Sequence, residues 1–132
     1  GVPHDYAEAV SLLHRAAEQG HIKAQMKLGL MYHQGEGVIE DYKEAVKWFH
    51  KVAEQGDGKA QQILAGMYIM GEGVTKEYVE AYKWTIVEGM NGADVAEFKS
   101  ALKKDMTADQ IVEAQERAKA FVAEKEALAE KQ

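Results

Sequence analysis

Apolar residues recur along this chain at helical spacing, and each run ends at a glycine. Ala24, Leu28, Met31 and Tyr32 fall on one stripe of a helix. Gly35 and Gly37 end that run, because glycine enters φ > 0 without a Cβ clash. A second run follows Asp41, with Tyr42, Ala45, Val46, Phe49, Val52 and Ala53 on one face. The Asp41 carboxylate is placed to cap free N–H groups, and Glu44 stands at the capping-box position. Asp5 with Glu8 repeats this pair, and Glu77 with Glu80 approximates it. Trp48 lies off the stripe, as expected of a helix with neighbours on two sides. Gly56 closes this helix and Asp57 starts the next unit. The pattern predicts helices at about 5–19, 22–34, 41–55, 58–70, 77–90, 93–104 and 107–130. No segment alternates as a strand does, and the single proline is Pro3.

The runs repeat. Residues 5–38 and 41–74 align without a gap, a period of 36 residues, and 20 of the 34 positions are identical. A fixed period of this size implies stacked helix pairs, and turns attention from clefts to surfaces. The third copy decays after Trp84. Gly92 and Ala96 keep the period, but Ser100 stands where Leu28 and Leu64 stood. Thr107 and Gln110 then form a capping box that opens a long helix, with Ile111, Ala114, Ala118, Phe121 and Val122 inward. It has the character of a terminal cap. Gly1-Val2 matches Gly37-Val38 and Gly73-Val74, so the chain is expected to begin inside the loop of a preceding repeat. The expectation is one domain over residues 1–132, the C-terminal part of a longer array. It comprises a partial repeat 1–20, repeats at about 21–56 and 57–92, and a cap over 93–132. The first helix carries Tyr6, Ala9, Val10, Leu13 and Ala17 on one face. Part of that face is expected to stay open and to favour self-association.

The unit Ala24, Leu28, Gly29, Tyr32, Gly35, Gly37, Val38, Asp41, Tyr42, Ala45, Trp48, Phe49, Ala53 and Gly56 resembles the Sel1-like repeat, a relative of the tetratricopeptide repeat with a longer inter-helix loop. The resemblance covers nearly the whole chain. The departures are Ala65-Gly66, Val52, Leu12 and the third copy. It implies an all-α, right-handed α-solenoid of antiparallel helix pairs with a C-terminal capping helix. It also implies a protein-interaction adaptor; many such proteins are bacterial, and cytoplasmic and exported or periplasmic locations are both compatible. By the same resemblance, one stripe of each first helix lines a concave surface. Here that stripe is Lys23, Met26, Leu30, His33 and Gln34, then Lys59, Gln62, Gly66, Ile69 and Met70, then Val95, Phe98 and Leu102. Apart from Lys23 and Lys59, these positions differ between the first two copies while their neighbours repeat. Their blend of apolar and polar groups suits a protein or peptide partner.

Composition narrows the alternatives. A net charge of −6, with 16 basic residues interspersed among 22 acidic ones, argues against nucleic acid. No stretch approaches the ~20 apolar residues of a membrane span. The chain has no cysteine, which removes disulfides, thiolate metal sites and cysteine nucleophiles. The Gly-Glu-Gly-Val loops at 35–38 and 71–74 follow helices rather than strands, so they read as helix stops and not phosphate cradles. His4, His14, His21, His33 and His50 form no convergent ligand set. His14 and His50 are equivalents one repeat apart, and ordinary helix-surface roles are expected for both. Glu18 and Glu54 are likewise equivalents and do not face one cleft. No cofactor, metal or catalytic residue is expected. A hydrolase using His and Glu on the repeat surface and an architectural spacer are the competing readings. If no two titratable side chains in the groove come within hydrogen-bond reach, the hydrolase reading fails.

Overall fold

The glycines that interrupt the apolar pattern also stop the helices. The computed structural model describes the backbone of residues 2–131 and side chains from residue 6 to residue 131. The described residues form α1 (Val2–Glu18), α2 (Ile22–Gln34), α3 (Tyr42–Glu54), α4 (Gly58–Met70), α5 (Tyr78–Met90), α6 (Ala96–Lys103) and α7 (Ala108–Glu130), with no strand among them. Gly35 and Gly71 end α2 and α4 in the left-handed region, and donate their N–H groups to Met31 O and Met67 O. Gly37 and Gly73 also have positive φ, as the helix-stop argument requires. The chain then folds back, and Asp41 N and Glu77 N donate to Tyr32 O and Tyr68 O at 2.9 and 3.0 Å. This clasp aims each second helix antiparallel to its first.

The caps divide. Asp41 accepts from Lys43 N and Glu44 N, and Asp57 accepts from Ala60 N. Thr107 and Gln110 form the full capping box. Glu44 makes no return bond and instead lies 3.7 Å from Lys47. Glu77 does not cap α5, because Arg117 takes its carboxylate and that of Glu80. At the start of the chain α1 begins at Val2, so Val2 is helical rather than part of a loop, and Asp5 falls inside the helix. The Asp5 side chain, like that of His4, lies outside the described residues. α6 is shorter than its pattern, beginning at Ala96 with no side-chain cap from Val95.

Successive helices pack as pairs stacked along a line, α1 on α2, α2 on α3, α3 on α4 and α4 on α5, the arrangement of an α-solenoid. α5 then receives α7, with a lighter contact from α6. Trp48 is buried with Ala17, Ala24 and Leu28, between its own pair and the helix before it. The central core joins Phe49, Val52, Leu64, Met67, Trp84 and Val87, and Ala118 and Phe121 of α7 close it. Two size changes offset each other along the stack. An added Cβ at Gly29 would meet the Phe49 ring at 2.7 Å. One repeat on, Ala65 carries that Cβ and Thr85 replaces the ring.

Candidate ligand-binding face

The first helices of the pairs are α2, α4 and α6, and the expected stripe divides on them. Lys23, Gln34, Lys59 and Gln62 are exposed. Met70 is 72% exposed and Phe98 42%. Met26 and Leu30 are half-buried against the central core, and Ile69 packs on the core beneath α5 and α7. These three therefore spend much of their apolar surface on the fold. Leu102 is buried in that second core and leaves the stripe altogether.

His33 is half-buried. Its Nε2 shares a 3.3 Å hydrogen bond with Glu72 Oε1, and its ring lies 5.2 Å from that of Tyr42. The carboxylate belongs to the loop of the following repeat, so the pair braces two units. Glu40, then burial, then Glu72 push the Tyr42 phenol up. This is the contact between titratable groups that a hydrolase requires. Among the described residues, however, no hydroxyl nucleophile is bonded to the His33 imidazole. Among the described residues no group of three His, Asp or Glu is placed to hold a metal ion. No helix among the described residues is long and apolar enough to cross a membrane.

A small cleft opens between α4 and α6. Gln62 and Gly66 of α4, Glu88 of α5, Asp94 and Val95 of the following turn, and Phe98 of α6 line about 190 Å³. The structure thus brings four expected positions, Gln62, Gly66, Val95 and Phe98, to one place. Glu88 and Asp94 were absent from the expected stripe. The signal for Glu88 was present in the register, since it stands where the equivalent residue is Val52, fully buried in the core. Burial pushes the Glu88 carboxyl up.

Two further polar sets repeat with the period. His14 Nε2 shares a 2.8 Å hydrogen bond with Tyr32 Oη, and His50 Nε2 one of 2.9 Å with Tyr68 Oη. Each imidazole also meets a tryptophan edge-on, Trp48 for His14 and Trp84 for His50. Both histidines are half-buried bridges inside the stack, which corrects their reading as helix-surface residues. Burial is the main reason that the Tyr32 and Tyr68 phenols are pushed up, and that the His50 imidazole is held down. The second set is Gln25 and Gln61, both buried. Their Nε2 atoms donate to Ala17 O and Ala53 O at 2.9 and 3.1 Å. Their Oε1 atoms accept from Gln55 and Asn91. Both sets were visible as identities between the copies, and both serve the stack rather than a ligand.

The profile of the Sel1 repeat matches residues 1–21, 22–57 and 58–86. The chain is similar to a protective antigen of uropathogenic Escherichia coli strains that displays an SLR fold. The two are 33% identical with a TM-score of 0.80, over 87% of this chain and 25% of that one. It is also similar to a Sel1 repeat protein from Oxalobacter formigenes, at 35% identity and a TM-score of 0.60 over 69% of this chain and 42% of that one. The chain therefore spans less than half the length of either. No curated protein sequence matches it.

Proposed function

Because the chain belongs to the Sel1 repeat family, whose members generally mediate protein–protein interaction, we propose that it is a non-catalytic adaptor that binds a protein segment on the face made by α2, α4 and α6, the concave side of the stack. The observation that carries this reading is the convergence of Gln62, Gly66, Val95 and Phe98 on one cleft, with Met70 exposed on the same helix as Gln62 and Gly66. Stacked first helices offer a short segment several contacts at once. The face is short, so affinity for a single segment is expected to be about micromolar or weaker, as in transient interfaces. Lys23 and Lys59 stand one repeat apart and are positioned to meet acidic groups on the ligand, which makes binding sensitive to salt.

The test is the double variant Met70→Asp with Phe98→Asp, two exposed positions whose charge leaves the core intact. Peptides selected on the wild-type protein should lose at least about tenfold in affinity for the folded double variant, the scale of one or two buried apolar anchors. Undiminished binding moves the site to the second helices or the loops.

A further inference from the structure

We infer that the cleft between α4 and α6 is a subsite for one cationic side chain, a lysine or arginine, carried by the bound segment of a partner protein. The inference rests on the peptide-binding role proposed above and names what that segment must carry.

Two departures from the repeat make the cleft. Gly66 occupies the position that Leu30 and Leu102 hold in the flanking units. A glycine weakens a helix interior, so it calls for a reason. Packing supplies none, because an added Cβ at Gly66 would have nothing within 4 Å. The missing leucine side chain is the open space. The second departure is Glu88, a carboxylate where the preceding unit has the core residue Val52. Both changes converge on the same 190 Å³.

The chemistry of the walls selects the occupant. Glu88 is half-buried and forms no ion pair or side-chain hydrogen bond among the described residues. A partly desolvated carboxylate without a partner is unfavourable, and a cation brought by a ligand relieves it. Burial already raises its proton affinity, as expected of a carboxylate lacking a counter-charge. Asp94 accepts from Ala96 N through Oδ1 at 3.3 Å, which leaves its other oxygen for a donor. Lys99, the nearest basic residue along α6, does not line this cleft, and its Nζ lies 5.9 Å from the centre of the Tyr82 ring. Val95 and Phe98 supply an apolar wall for an aliphatic stem. The volume falls below the roughly 300–1,000 Å³ of small-molecule pockets, which suits one side chain rather than a cofactor. The net charge of −6 steers basic segments toward the protein.

A displayed library of random heptapeptides, selected in parallel on the wild-type protein and on Glu88→Gln and Gly66→Leu, tests the inference. Gly66→Leu restores the residue of the flanking units and fills the cleft, so it should fold at least as well as wild type. Wild type should enrich peptides with Lys or Arg at one fixed position. Replacing that residue by norleucine in a selected peptide should weaken binding about tenfold, as loss of a charge-assisted bond does. Both variants should lose the preference at that position while still enriching apolar peptides. Peptides without a basic residue, or a basic preference that survives in Glu88→Gln, overturn the subsite and leave the adaptor reading standing. Failure of folded wild-type protein to enrich any peptide overturns the adaptor reading and the subsite with it.

Discussion

Trp48 and Trp84 are fully buried, each with a lysine over its ring, Lys47 at 5.0 Å from Trp48 and Lys83 at 4.3 Å from Trp84. Replacing Trp48 by alanine removes one of the contacts that join α3 to α1 and α2, and should cost about 3–5 kcal/mol. A thermal melt unchanged by Trp48→Ala would contradict its place between repeats. His50 gives a prediction in pH. Burial holds its imidazole below the ordinary 6.5, with Glu54 opposing that shift and Lys83 adding to it. The unfolded chain then takes up the proton first. The stability His50 contributes is therefore present above about pH 6.5 and is lost as the pH falls through the folded value. Between about pH 7.5 and 5.5 the melting temperature should fall more steeply for wild type than for His50→Gln. Equal slopes would remove His50 from that dependence. Glu88 acts in the opposite sense and at lower pH, since its raised value makes the folded state bind the proton first.

At the scale of the element, the two equivalent loop glycines should respond differently to the same change. Gly37→Ala introduces a Cβ beside the Met31 and Tyr6 side chains, which can move. Its cost should stay near the left-handed penalty, about 1 kcal/mol. Gly73→Ala drives the Cβ into the Tyr42 carbonyl and the Lys43 amide, both backbone, and should cost distinctly more. Denaturant midpoints in the same buffer compare them, and a smaller loss at Gly73 would contradict the loop geometry. Gly66→Ala should instead stabilise α4 by about 0.5–1 kcal/mol, since its Cβ meets open space. The helices themselves were legible because apolar spacing and glycine stops agree in each copy. α2 and α4 match their expected bounds residue for residue. Caps were less legible. A carboxylate at the right spacing does not reveal a competitor from a distant helix, and Arg117 claims Glu77 and Glu80 from 37 or more positions away. The binding stripe was legible in part. Variation between copies marked Gln62, Gly66, Met70 and Phe98, but it also marked Met26, Leu30 and Leu102, which the core takes. Glu88 escaped notice because it sits on a second helix, where only a comparison with Val52 exposes it.

Across the whole molecule, the two ends differ in how they close the stack. At one end α7 lays Ala114, Ala118 and Phe121 on the cores, and Arg117 binds Glu77, Glu80 and Glu113 at 2.7–3.2 Å. Deleting residues 107–132 should uncover Trp84 and Phe121's partner surface and abolish cooperative melting of α5; retention of a sharp transition would show that α7 is dispensable. At the other end, Leu12 of α1 holds the position of Trp48 and Trp84 but is 64% exposed. Sedimentation at high concentration should show a species larger than monomer that Leu12→Lys removes, at little cost in stability; a strictly monomeric wild type would contradict association through this face. Between these ends runs the face of α2, α4 and α6, on which the functional reading depends. Its most direct test is a map of backbone amide shifts as a selected peptide is added to the full chain. The largest shifts should fall at Gln62, Gly66, Met70, Val95 and Phe98. Shifts centred instead on the second-helix residues Lys47, Lys51 and Glu54 would contradict it.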